Sequence, residues 1–253
     1  ETLAGQLNAM QLSAADGRAA RFYNLGYPTL SLTKDVMILE EARRYQPDLV
    51  VWLVTLEAFP REKQLASPIA ANNAARIDDL VAKYNLSIDP ADPALIRPDL
   101  WGSTLIGQRR ALADLLRLQL YGVLWAATGI DQVYPAEYSP AQRDLEADES
   151  FYERTPPTLE PDSLALDALG AGMQAAGAPV LLVNEPVMIS SGENSDIRYN
   201  FYYPRWAYDQ YRELLGQFCR QGGWQCLDVW NLAPEGEFTN SAIHLTPHGV
   251  KLL

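Results

Sequence analysis

Apolar positions along this chain follow two rhythms that alternate. A short unbroken run rich in Val, Leu and Trp at 48–55 has the pattern of a strand covered on both faces, as in the interior of a parallel sheet; 178–184 reads as a second buried strand and 224–230 as the next strand. Around them apolar residues recur at helical spacing. Over 30–45, Val36, Ile38, Leu39 and Ala42 fall on the inner side and Pro47 ends the pattern; further helices are predicted over 69–84, 104–128, 163–176 and 205–221. Leu3, Leu7 and Met10 place an amphipathic helix at the start of the chain, and Thr246-Pro247-His248-Gly249 opens a last one, with Thr246 as N-cap and Pro247 at the first helical position. The apolar run 21–26, broken by Gly26-Tyr27-Pro28, reads as one more strand.

Strands alternating with helices predict βαβ units and an α/β fold: a doubly wound, mainly parallel sheet flanked by helices. Residues 85–162 interrupt the rhythm. A proline-rich run at 89–98 separates two helical stretches, and 132–161 is acidic, rich in Tyr and Pro, and aperiodic. The chain is therefore expected to be a single α/β domain over 1–253 with a helical and irregular insertion or lid at 85–162.

Composition narrows the partners. At 253 residues with 48% hydrophobic content, the chain can bury a sizeable core. A net charge of −12 and a pI near 4.6 argue against nucleic acid or anionic lipid as the main partner. No stretch reaches the ~18–20 uninterrupted apolar residues of a membrane span, since 115–130 contains Arg117 and Gln119, so no transmembrane segment is expected. Cys219 and Cys226 either bridge or stay as two thiols; a bridge would suit an extracytoplasmic or secreted protein, and a cytoplasmic one stays open. The sequence begins at Glu1, which leaves room for an upstream signal peptide or anchor.

Both histidines, His244 and His248, lie within five positions of each other. Histidine exchanges a proton near neutral pH, so a loop holding both invites acid/base chemistry. Two ligands at i, i+4 with no carboxylate nearby do not complete a metal site, and no cofactor motif is present. In open α/β sheets ligands bind beyond the carboxyl ends of the strands. That rule selects Asn24 and Gly26, Thr55 and Glu57, Asn184 and Glu185, and the His244 loop. Singly each has an ordinary explanation: Asn24 and Asn184 cap turns, Gly26 supplies a backbone angle, and Glu57 and Glu185 are solvated.

Together, Tyr23-Asn-Leu-Gly26-Tyr-Pro-Thr-Leu-Ser and Phe238-Thr-Asn-Ser-Ala-Ile-His244-Leu-Thr-Pro-His-Gly, with the strand order between them, resemble blocks of the SGNH, or GDSL-like, hydrolase family. The resemblance covers most of the chain outside 85–162. It implies a flavodoxin-like SGNH architecture and a serine acyl-enzyme, with His244 as the base and the Gly26 amide as an oxyanion donor. Asn240 takes the place of the acidic residue that orients the histidine, and the strand-end residues Asn24, Thr55, Glu57 and Glu185 are the expected substrate-binding positions. The chain departs from the pattern in three places: no Gly-Asp-Ser follows a first strand, Ser241 and Asn240 precede His244 where a carboxylate is usual, and no Gly-x-Asn-Asp follows the second strand. Replacing an orienting Asp by Asn costs ~10⁴ in rate in a serine protease. Asn72 or Asn73 would stand in for the missing oxyanion amide. A missing interior strand leaves open sheet edges, so an upstream segment carrying that strand and the serine is expected.

Two functions follow. The first is an ester hydrolase or acyl transferase acting on a small-molecule or O-acylated carbohydrate ester, with aromatic residues at 27, 101, 134, 138, 202, 203 and 206 available for stacking on sugars. The second is a catalytically inactive SGNH-like binding or assembly module. No nucleic acid partner is expected, and the oligomeric state is left open.

Overall fold

Apolar runs without polar breaks bury best when paired side by side. β1 (Val50–Val54), β2 (Val180–Asn184) and β3 (Gln225–Asp228) form an open parallel sheet in the order β1-β2-β3, in which β1 and β2 are such a pair and the more polar β3 lies at the exposed edge. They are seen in a computed structural model that describes residues 2–14, 16–128 and 141–253, without the side chains of 125 and 126. The register pairs Val54 with Asn184 and Asn184 with Asp228, so all three strands end level. Residues that follow them therefore meet at one rim.

The inward side chains Trp52, Val54, Val180 and Leu182 share a core with α2 (Leu32–Ala42), α6 (Leu166–Ala175) and α7 (Arg205–Gly222). Leu32, Val36 and Leu39 fall on one stripe of α2 and are buried. Helix α6 comes so close to the sheet that a Cβ on Gly172 would sit 2.3 Å from the Trp52 ring, which only glycine avoids. Tyr203, Tyr208, Tyr211 and Phe59 are the largest fully enclosed side chains. β3 is exposed along its length, and a Cys219–Cys226 disulfide, with Cα atoms 6.2 Å apart, ties it to the end of α7.

Several expectations shift. Residues 21–26 form no strand: the segment is irregular and largely exposed, with no ladder to a neighbouring strand. Instead the Asn8 side chain acts as its partner, Nδ2 donating to the Phe22 carbonyl and Oδ1 accepting from the Phe22 amide, both at 2.8 Å. The helix over 69–84 divides into α3 (Pro68–Ala71) and α4 (Ala74–Tyr84), because Asn72 and Asn73 turn their amides back onto the carbonyls of Pro68 and Ile69. The first helix, α1 (Leu3–Ala9), is capped by Thr2 and buries no side chain, whereas the last, α8 (Pro247–Leu252), starts at Thr246 as the sequence implies, with Thr246 Oγ1 accepting from the Gly249 amide.

The chain divides into two compact units, Glu1–Leu95 with Ser139–Leu253, and Ile96–Tyr138. Leu86, Leu95, Phe151 and Leu159, inside the expected 85–162 insertion, are buried in the core of the first unit. The second unit contains α5 (Arg109–Thr128).

Candidate functional site at the carboxyl ends of the strands

The first turn of α2 brings two charged residues to the rim. Lys34 is buried, yet its Nζ donates to the Tyr27 carbonyl at 2.8 Å and lies 3.0 Å from Asp35 Oδ1. Trp52 Nε1 donates to Asp35 Oδ2 at 3.1 Å. Burial pushes the Asp35 carboxyl up, and the Lys34 charge opposes that shift. Glu185, the first residue past β2, is half-buried and is pushed up to about 7, chiefly by burial and then by the charge of Asp35. Its amide donates to the Val54 carbonyl, and no hydrogen bond or ion pair reaches its carboxyl group among the described residues. A carboxyl group that titrates near neutrality without a partner is the feature of this rim best suited to exchanging a proton.

Past β1, Thr55 is fully buried and its Oγ1 lies 3.0 Å from the Tyr203 hydroxyl. Glu57 pairs with Lys63 and accepts from the Tyr152 hydroxyl, so it is engaged rather than solvated. At the centre, Asn184 is buried; its Oδ1 accepts from the Tyr211 hydroxyl at 3.1 Å, and its Nδ2 donates to Asp228 at 2.9 Å. Arg212 holds Asp228 through two nitrogens and lies over the Trp230 ring, 4.3 Å from its centroid. Burial pushes the Tyr203 and Tyr211 hydroxyls well above their usual range, so both stay protonated donors.

The His244 loop reaches the same rim. The Met188 amide, four residues beyond β2, donates to the Ala242 carbonyl at 2.8 Å, and the Val187 amide donates to the Trp230 carbonyl at 2.9 Å. Ala242 is fully buried and Phe238 nearly so, which anchors the loop while leaving the His244 side chain exposed. The Thr239 amide and hydroxyl both donate to the His244 carbonyl. Among the described residues no hydrogen bond or ion pair engages the His244 ring. Asn240 Oδ1 accepts from Thr239 Oγ1 at 3.4 Å and does not bond to it. The carboxylate of this loop is Glu237, which pairs with His248 Nδ1 at 2.8 Å and accepts from Thr246; that hydroxyl, ahead of His248, holds Glu237 below the usual carboxylate range.

Of the remaining sequence candidates, the Gly26 amide donates to Asn24 Oδ1 at 2.9 Å, so the two residues satisfy one another in a turn. Asn72 and Asn73 bond to backbone carbonyls. Tyr203 lies in the core and is a hydrogen-bonding anchor instead of a stacking surface, whereas Tyr27 and Tyr202 are 46% and 39% exposed. Trp206 donates to the Glu149 carbonyl, Trp101 belongs to the second unit, and residues 134 and 138 lie outside the described residues. Sequence reasoning missed the Lys34–Asp35–Trp52 group. Its signal is a lysine and an aspartate set between Leu32 and Val36, inside an apolar helical stripe. Among the described residues no group of three His, Cys, Asp or Glu side chains is placed to hold a metal ion. No family model, no curated protein and no solved structure matches the chain.

Proposed function

We propose that this protein binds an acyl ester at the level rim of its sheet and hydrolyses it or transfers its acyl group, with His244 as the proton carrier. The reading rests on one observation: the exposed His244 imidazole sits on a loop tied by the Met188–Ala242 hydrogen bond to the extension of β2, the strand that presents Glu185. His244 would take the proton from an attacking hydroxyl and return it to the leaving alcohol. A serine acyl-enzyme of SGNH type requires that hydroxyl to be brought to His244, since none is bonded to its ring among the described residues. Near neutral pH a protonated Glu185 would donate a hydrogen bond to the ester or to a sugar hydroxyl, and the exposed rings of Tyr27 and Tyr202 would stack on the carbohydrate.

The engagement of the Gly26 amide by Asn24 favours a second reading, a ligand-binding module on the same scaffold without a working oxyanion hole. A fluorophosphonate probe separates the two. Labelling of the folded protein that disappears in His244→Ala supports the enzyme. Absent labelling with carbohydrate-ester binding retained supports the module.

A further inference from the structure

The leucines of helix α5 are exposed. Leu112 is 44% exposed and Leu120 71%, with Leu115, Leu116, Leu118 and Val123 between them. Arg110, Asp114, Arg117 and Tyr121 follow the spacing i, i+4, i+7, i+11 and so form one narrow stripe, with Asp114 Oδ1 held by Arg117 at 3.0 Å, while Arg109 and Gln119 fall outside it among the leucines. Leucines occupy most of the remaining circumference. The turns before the helix add Leu100 (94%), Leu105 and Ile106 to the exposed apolar surface. Monomeric proteins rarely leave apolar patches of more than a few hundred Å² uncovered.

Charge distinguishes what covers this surface. Residues 97–128 contain four arginines and two aspartates, a local excess of positive charge in a chain whose net charge is −12. A helix docking in a protein groove needs only a narrow apolar seam, and here the leucines extend well beyond one. No helix among the described residues is long and apolar enough to cross a membrane, and Arg117 stands near the middle of α5. A broad apolar face beside a polar stripe that carries Arg110 and Arg117 is the combination that lies in the plane of a bilayer interface.

We propose that α5 is a membrane-surface helix for anionic phospholipid bilayers, its leucine face among the acyl chains and Arg110 and Arg117 at the level of the phosphates. The chain-wide negative charge conceals this site because the basic excess is confined to one segment.

Flotation of the whole protein with vesicles of phosphatidylcholine plus phosphatidylglycerol, against phosphatidylcholine alone, tests it. The protein should float with the mixed vesicles and release at high salt. Leu116→Asp with Leu120→Asp should lower partitioning at least ~100-fold, since each leucine contributes its burial. Arg110→Glu with Arg117→Glu should lower it roughly thirtyfold on the anionic vesicles only. All four positions are on the exposed helix, so circular dichroism and the melting temperature should not move. Wild-type protein that stays unbound to both vesicles overturns the proposal, as does binding indifferent to the leucine pair. A soluble dimer dissolved by the leucine pair, without vesicle binding, would assign the face to copies of this chain instead.

Discussion

The rim around Glu185 and the loop around His244 share one edge of the sheet and are built on opposite principles. At the rim, Thr55, Asn184, Tyr203 and Tyr211 are buried, and their polar atoms bond to one another, so the same side chains hold the fold together and shape the site. In the loop, Phe238 and Ala242 do the anchoring, and the side chain proposed to carry the proton, His244, is exposed and engages nothing among the described residues. Stability and the proposed proton transfer thus fall to different residues in the loop, whereas at the rim the bonded side chains that hold the fold also shape the site. Substitutions of the hydrogen-bonded rim residues should cost folding free energy, and His244 should be separable from it.

The largest effect is expected beneath the rim. Leu169 on α6 is fully buried, and Leu169→Ala should lower the unfolding free energy by about 3 kcal/mol in a denaturant titration, through lost transfer energy and a residual cavity. A comparable effect depends on pH. Glu185 has its carboxyl raised from 4.5 to about 7 in the folded state, so between those values the native protein binds more protons than the unfolded chain. Stability from this group is therefore present below pH 4.5 and falls as pH rises to 7, by up to about 3 kcal/mol. Glu185→Gln should flatten that part of the stability profile and also remove any pH dependence of ligand binding near 7. A Gln variant that keeps the slope would place the titrating group elsewhere.

Smaller effects follow. Reducing the Cys219–Cys226 bridge, which closes a short loop between α7 and β3, should cost about 2.5 kcal/mol in the chain-entropy picture, read as a lower melting temperature in dithiothreitol. Tyr203→Phe strands the buried Thr55 hydroxyl and should cost about 1–2 kcal/mol. His244→Ala should change stability by less than about 0.5 kcal/mol, as expected for an exposed side chain. A large loss there would erase the contrast between rim and loop.

Much of this arrangement was legible in the sequence. Strands β1 and β2 are apolar runs, and α2, α6 and α7 carry stripes wide enough to define a buried face, so local pattern and burial agree there, whereas β3 has polar residues at both ends and is exposed. Residues 21–26 misled because strand pairing is not a local property: the same apolar run without a ladder partner is held by the Asn8 side chain. At the site, the strand-end rule located Thr55, Glu57, Asn184 and Glu185 but could not assign their environments. The partner of Thr55 lies 148 residues away, and Lys34 and Asp35 occupy a helix, where charged residues ordinarily face water. The broad apolar circumference of α5 was visible as composition, whereas its exposure could only come from the structure.

The central claim is that His244 carries the proton in an acyl transfer at this rim. Fluorophosphonate labelling of the full-length, folded protein, compared with His244→Ala at matched stability, tests it most directly. Labelling of the wild type and its loss in the variant is the predicted result. A folded wild type that is not labelled, or a variant labelled as well as the wild type, would contradict it.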